Sequence, residues 1–281
     1  MLGIVTPISP FKIAIMNEGI VDAVMAGIPI LYSPGPLMGA TAPATVAGTV
    51  VITHAEVLFG VVLTQLIKAG APVVIKPDTD VFDMKTGQVT YGSPEQDLGK
   101  VASVQLARRY DLPIYGLGGG VEGKLPDAES AAEAMESLMM VSLAGMTLCQ
   151  SLGTLACGMY GSPEMAVLCD EMVHMIKRIV DGFAVNDDTL AIDVIREAGY
   201  GGNFLKFKHT TRWFRDEMYF PSLFRRQTSE DWIKGGSKPI EQVAHEKVLD
   251  ILEKASALEL PPGVDLELER ALRRATTGVT A

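Results

Sequence analysis

Cysteine is scarce in this chain: three in 281 residues, at Cys149, Cys157 and Cys169. A disulfide scaffold is excluded on that count, and a reducing, cytoplasmic compartment fits best. The cysteines and the four histidines match no zinc-ligand spacing. Positive charge is in deficit, with 24 Lys and Arg against 34 Asp and Glu and a formal net charge of −10. Phosphate binding needs a basic surface, so this balance argues against a nucleic-acid partner. Aromatics are few, at 6%. The most apolar window, Val57 to Ile67, is short for a bilayer span and is closed off by Gln65 and Lys68, so no membrane association is expected. The opening MLGIVTPISP lacks a basic region and is interrupted by proline, unlike a signal peptide. There is no P-loop, no G-x-S-x-G elbow and no repeat of fixed period.

What is present is a large apolar fraction, 48%, enough to fill the core of one large domain or two small ones. Short apolar runs alternate with helical stretches. Strands are expected at Leu2 to Thr6, Ile28 to Ser33, Pro72 to Lys76, Pro113 to Gly116 and Met146 to Ser151. Helices are expected at Phe11 to Ala26 after a Ser9 cap, and from a cap at Thr41 or Thr45 to Gly70. Others follow from Ser93-Pro94-Glu95 to Tyr110, from Asp127 to Leu143, and from Ser162-Pro163-Glu164 to Val180. From Asp187 the pattern turns helical: Asp187 to Ala198, Pro239 to Ala255 and a tail beyond Leu258. Between the third strand and its helix, Asp78 to Gly92 is polar and turn-rich, with a hairpin turn expected at Lys85 to Gln88. Five strand–helix units are too few for an eight-stranded barrel of about 250 residues, which leaves an open sheet or an incomplete barrel.

Each candidate site has a plain structural alternative. The loop Gly35 to Pro43, ahead of a helix N-terminus, suits an anion or a bulky ligand, but also a tight capped turn. Glu56 lies in an apolar helix and either serves function or satisfies a neighbouring loop, while His54 reads as solvated. Lys76, at a strand end, has the position of a Schiff-base lysine, though a bridge to Asp78 or Asp80 is the simpler reading. Gly118-Gly119-Gly120 does not open a helix and so is not a dinucleotide fingerprint; it marks a tight bend or the approach of a large ligand. Cys157 has no histidine near it in sequence and reads as inert. The ring cluster His209, Trp213, Phe214, Tyr219 and Phe220 is either a cation cage or ordinary packing, with packing the default.

The segments PLMGATAPATVAG and HAEVLFGVVLTQLIKAGAPVV resemble the signature of the trimethylamine–corrinoid methyltransferase family. The likeness continues in family order through DMKTG, YGSPE, LARRYDLP, KLPDAESAAE, SPEMAVLCDEM, DDTLAIDVIREAG and GGNFLKFKHTTRWFRDE. The resemblance implies an α/β fold derived from a TIM (β/α)8 barrel nearly twice this length. The chain would hold its last five βα units as a partial barrel over residues 1–185, with a helical C-terminal region over 186–281 packed on it. The pyrrolysine of the founding members would fall at or near Cys157, which places the chain with the non-pyrrolysine subgroup that includes glycine betaine methyltransferases. Those move a methyl group from a small methylated amine to a corrinoid (cobalamin) held by a separate corrinoid protein; no cofactor is bound covalently. On that reading Gly39, Thr41, Gly118 and Gly119 would admit the corrinoid. Tyr32, Tyr115 and Gln150 would contact the amine, and Glu164 would neutralise it or merely favour its helix start. A non-catalytic half, paired with a chain supplying the missing strands or with a second copy, is the alternative; a Schiff-base lyase using Lys76 is a third.

Overall fold

The computed structural model describes residues 2–13, 19–255, 261 and 263–277. In chain order the first half contains β1 (Gly3–Val5), α1 (Gly19–Met25), β2 (Ile30–Tyr32), β3 (Leu37–Met38), α2 (Val46–Ile67) and β4 (Val73–Ile75). Next come β5 (Asp80–Asp83), β6 (Gln88–Thr90), α3 (Pro94–Arg109), β7 (Tyr115–Leu117), α4 (Ala128–Ala144), β8 (Leu148–Gln150), β9 (Thr154–Leu155), β10 (Tyr160–Gly161) and α5 (Pro163–Val180). The remainder is helical: α6 (Asp187–Leu190), α7 (Ile192–Ala198), α8 (Lys208–Glu217), α9 (Ser229–Lys234), α10 (Ile240–Lys254) and α11 (Val264–Thr277).

The fold is mixed α/β with small sheets, none of them closed. β1 pairs with β2, and β2 with β4, all parallel. A single parallel bridge, Ile75 to Ile114, carries the order across to the segment leading into β7, which pairs parallel with β8. Neighbours in space are therefore neighbours in sequence, with a helix in each interval and no reversal of order.

Helix ends follow local chemistry. The Thr45 hydroxyl accepts from the Gly48 amide at the start of α2. Asp127 accepts from Glu129 and Ser130, and Gly145 ends α4 in the left-handed region. Ser162 accepts from Met165 at the start of α5. The first helix departs from expectation. Residues 8–12 form a tight turn, closed by backbone hydrogen bonds between Ile8 and Lys12, and the described helix begins at Gly19. The remainder of that expected helix, 14–18, lies outside the described residues. Ser9 is not a cap: its hydroxyl donates to Glu56 at 2.8 Å, and the Phe11 amide donates to the same carboxylate at 2.7 Å. The expected helix at Asp187 to Ala198 is broken in two where Ala191 turns left-handed.

Three apolar clusters hold the layers together. Ile30 and Tyr32 of β2 pack on Ile20 and Val24 of α1, where Gly60 of α2 leaves room for the Tyr32 ring. Val73 and Ile75 pack on Val57 and Val104. Leu138, Met165, Leu168 and Ala244 join α4, α5 and α10. α2 is long and apolar enough, by length and composition, to cross a membrane, so its apolar run exceeds the window expected from sequence. In the fold it packs on the sheet through Thr49, Thr53, Glu56, Val57, Gly60 and Thr64, and turns Val51, Phe59, Val62 and Leu66 outward.

Candidate functional site

The segments that leave the carboxyl ends of β4, β7 and β8 converge. After β4 the chain runs through Lys76 and Asp78 into the hairpin β5–β6, whose turn is tied by Asp83 to the Lys85 amide and the Thr86 hydroxyl. β5 also pairs with β3, so the Gly35-to-Pro43 loop and the hairpin form one small sheet. A cleft of about 680 Å³ opens beside it, lined by Asp80, Gln88, Tyr91, Glu122, Lys124 and Cys157 among others. Clefts beyond strand carboxyl ends are where α/β folds collect their chemistry.

The carboxylates around this cleft are held in different ways. Lys76 forms an ion pair with Asp78 and donates to the Ser33 hydroxyl at 3.3 Å. Lys124 donates to Glu122 at 2.9 Å. Asp80 has no cationic partner among the described salt bridges; its Oδ1 accepts from the Gln96 side-chain amide at 2.7 Å. Behind Gln96, the Lys100 ammonium donates to Gln96 Oε1 and to Asp97 Oδ1, both at 2.9 Å. Gln96, Asp97 and Lys100 are at most 2% exposed, so this row is sealed from water. Among the described residues that line the cleft, Asp80 is the charged side chain without an ion-pair partner, and it carries the net negative charge of the cleft wall.

Protonation follows from these surroundings. Burial first, then the neighbouring Asp78, pushes Asp80 up to about 6. Burial also raises Asp78, against the pull of Lys76. Burial, then Asp80 and Asp78, pushes the Tyr91 phenol up to about 12, so it stays neutral. The Cys157 thiol donates to Glu122 Oε2 at 2.7 Å. Burial and that carboxylate push Cys157 up to about 12 as well. For Glu122 burial opposes ionisation, but the hydrogen bonds from Cys157 and Lys124 outweigh it and hold the carboxyl below its ordinary range. The cleft thus combines an unpaired carboxylate, a neutral phenol ring and a protonated thiol. It suits a cation better than a nucleophilic attack by its own side chains.

Of the residues weighed in sequence, Cys157 lines this cleft, whereas the eight that the resemblance assigned to the amine and the corrinoid do not. Tyr32 is buried on the helix side of the sheet, against Gly60. Glu164 accepts from Ser162 and from His245 of α10, at 2.8 and 2.9 Å, and so ties two helices. Ile114 packs among the helices, so by strand alternation Tyr115 points to the opposite face, as does Gln150, the register partner of Leu117. Gly39 turns a loop at φ 87°, and the Thr41 hydroxyl accepts from the Leu37 amide within it. A Cβ at Gly118 would overlap the Cys149 sulfur, and the Gly119 amide donates to Ser137 at 2.9 Å. Gly118 and Gly119 thus each have a role in local packing.

Other expectations fare variously. Lys76 is paired with Asp78, the simpler reading. Glu56 satisfies the loop at Ser9 and Phe11. His54 is only partly solvated: its ring lies 5.3 Å from that of Tyr110, its Nε2 is enclosed, and burial lowers its pKa. In the aromatic cluster Arg212 lies 5.1 Å from the Trp213 ring and Arg215 5.2 Å from the Phe214 ring, while Phe214 packs edge-on against Phe220, in keeping with the packing default. Sequence reasoning missed Asp80, Tyr91, Gln96 and Glu122. The available signal was Asp78-Thr79-Asp80 at a strand end, inside the polar segment already marked as unusual.

Comparison with known proteins gives one family. A family model described as "Trimethylamine methyltransferase (MTTB)" matches residues 1–279. Trimethylamine methyltransferase MttB of Desulfitobacterium hafniense (strain DSM 10664 / DCB-2) is 36% identical over 258 residues, covering 92% of this chain and 52% of that protein. The protein of the same name from Methanosarcina barkeri is 34% identical over 270 residues, 96% of this chain and 54% of that one. Glycine betaine methyltransferase of Desulfitobacterium hafniense (strain Y51) is 33% identical over 278 residues, 97% of this chain and 56% of that one. The chain spans about half the length of the curated relatives it matches.

Proposed function

The chain belongs to the trimethylamine methyltransferase family, and from that premise we propose that it takes part in methyl transfer from a small methylated amine to a corrinoid protein. The observation that carries the reading is the cleft whose one unpaired charge is Asp80, beside the Tyr91 ring. A quaternary or protonated amine brings one positive charge, and a carboxylate with an aromatic face complements it. The corrinoid is a co-substrate on a separate protein, and in its reduced form supplies the nucleophile. As the C–N bond breaks, its electron pair stays on nitrogen and the amine leaves neutral, so a quaternary substrate needs no general acid. The chain's part is to hold the cation, aim one methyl group outward and exclude water. Cys157 lines the same cleft, but as a neutral thiol it is a poor nucleophile and does not compete for the methyl group.

On the same reading, the five parallel strands in sequential order are a segment of a (β/α)8 barrel over residues 1–185, with 186–281 as its helical cover. β1 and β8 each have one strand neighbour among the described residues, and Ile4 on β1 is 69% exposed. Further strands, from more chain or from another polypeptide, fit along those edges. Tyr115 and Gln150, on the face away from the helices, would then lie inside the barrel and remain candidates for amine contact.

The test is spectroscopic. The protein, alone and together with a polypeptide supplying the remaining strands, is mixed with reduced corrinoid protein and trimethylamine, glycine betaine or other methylated amines. Loss of the reduced-cobalt absorbance with release of the demethylated amine is expected. No change with any amine in either arrangement overturns the proposal.

A further inference from the structure

Three buried side chains behind the cleft are not explained by packing. Gln96, Asp97 and Lys100 lie on α3 among otherwise apolar or small neighbours, with exposures of 0, 1 and 2%. Burying an ammonium, a carboxylate and an amide together is unfavourable unless each finds a partner. Their partners form a line that leads to the cleft: Asp97 accepts from Lys100, Lys100 donates to Gln96 Oε1, and Gln96 Nε2 donates to Asp80 Oδ1. The line has a direction. Lys100 occupies the acceptor oxygen of the Gln96 amide, so the amide cannot flip, and its NH2 is the end that must face Asp80. α3 is further pinned to this loop by the Thr79 hydroxyl, which donates to the Gln96 carbonyl, and by Gly99, where any Cβ would overlap Thr79.

We propose that Gln96 is a positioning residue for the cleft: its amide, oriented by Lys100 and Asp97, fixes the Asp80 carboxylate in its ionised form toward a bound methylammonium group. This rests on the reading of the cleft as a cation site. The charged groups acting on Asp80 are Asp78, Lys76 and Lys100 on its own side, with Glu122 and Lys124 across the cleft. Of these, Asp78 disfavours its ionised form and the two lysines favour it, as does the Gln96 hydrogen bond.

The experiment is calorimetric titration of the full chain with tetramethylammonium, a permanent cation, so that only the protein titrates between pH 5.5 and 8. Wild type is expected to weaken as pH falls through about 6, the value for Asp80. Gln96→Met, close in length but unable to donate, is expected to move that midpoint up by about one unit. Affinity then falls about fivefold at pH 6 and about twofold at pH 7, and converges with wild type at pH 8. Gln96→Asn, an amide too short to reach both partners, should behave the same way if Gln96→Met does not fold. A loss of affinity that is equal at every pH, in either folded variant, marks a purely structural role and overturns the proposal. So does an unchanged midpoint in a protein whose Asp80→Asn variant no longer binds. Failure of the wild type to bind tetramethylammonium at any pH overturns the cation site itself, and is distinguished from the former results by occurring before any substitution.

Discussion

Cys157 is expected to be a slow thiol, and the reason can be measured. It sits in the left-handed region at φ 54°, where its sulfur donates to Glu122 at 2.7 Å and faces the Val89 carbonyl at 2.9 Å. Burial first, then the hydrogen bond to Glu122 and its negative charge, oppose the thiolate and push the group up to about 12. At pH 8 such a group is ionised to about one part in 10⁴, against roughly a quarter for an ordinary cysteine. That deficit is about 2,000-fold. A more basic thiolate is also more nucleophilic, by about 40-fold over this interval at the usual Brønsted slope. The two effects together leave Cys157 roughly 60-fold slower than a free cysteine toward a small disulfide. The assay is a time course with such a reagent at pH 8, read by mass spectrometry of the Cys157 peptide. Glu122→Gln removes the carboxylate but keeps an acceptor, so it should bring the rate back up by about tenfold if the thiol falls by two units. Reaction of wild-type Cys157 at the rate of a model peptide refutes the argument, and so does a Glu122→Gln rate equal to wild type.

Other consequences concern stability. Glu171, 2% exposed on α5, accepts from the Tyr219 hydroxyl at 2.5 Å, the Ser222 hydroxyl at 2.7 Å and the Leu223 amide at 2.7 Å. Glu171→Gln replaces one of these acceptor oxygens with an NH2 donor that faces other donors, and should lose about 3 kcal/mol in urea denaturation; a loss below about 1 kcal/mol counts against this anchor. Burial opposes the Glu171 charge, but these hydrogen bonds outweigh it and lower its pKa. Its contribution is therefore complete above the unfolded value of about 4.3 and is lost as pH falls through the lower folded value, an acid-limb slope that Glu171→Gln should lack. A Cβ at Gly60 would overlap the Tyr32 ring. Gly60→Ala should lose about 2 kcal/mol despite the gain in helix propensity, and Tyr32→Leu in the same chain should recover most of it; additive losses would contradict the contact.

The alternation of strands and helices was legible because it depends on local patterns. Ser162-Pro163-Glu164, Asp127 and Thr45 act as caps within a few residues of themselves, so a sequence reader sees both partners. The turn at Ile8 to Lys12 was not legible, because Ser9 and Phe11 are held by Glu56, some 45 residues away. The packing role of a glycine was hidden for a related reason: the missing side chain of Gly118 accommodates Cys149, which only the pairing of β7 with β8 reveals. α2 hid its inner face altogether. Its apolar residues surround the helix, so periodicity does not show that Thr49, Thr53, Glu56 and Thr64 point inward. Three of them are satisfied within the helix or its cap region: Thr49 donates to Pro43, Thr53 to Thr49 and Thr64 to Gly60.

The cleft illustrates why a charge must be counted with its partners. Asp78, Asp80, Glu122, Asp97 and Glu133 put five carboxyl groups on or just behind one cleft, and by number alone they would repel one another. Lys76, Lys124 and Lys100 each answer one of them. Glu133 accepts from the Glu122 and Gly123 amides behind the cleft, which leaves Asp80 as the unpaired carboxylate on the cleft wall among the described residues, and its partner Gln96 is neutral. A neutral donor steadies a carboxylate without cancelling its field, whereas a lysine in the same place would leave nothing to attract a cation. Replacing Gln96 with lysine therefore tests more than a hydrogen bond. Gln96→Lys would keep a donor near Asp80 yet bring the cleft to neutrality, and cation affinity should fall at pH 8 as well as at pH 6. The loss of charge and the loss of positioning are in this way separable, because Gln96→Met should weaken binding only where Asp80 takes up a proton.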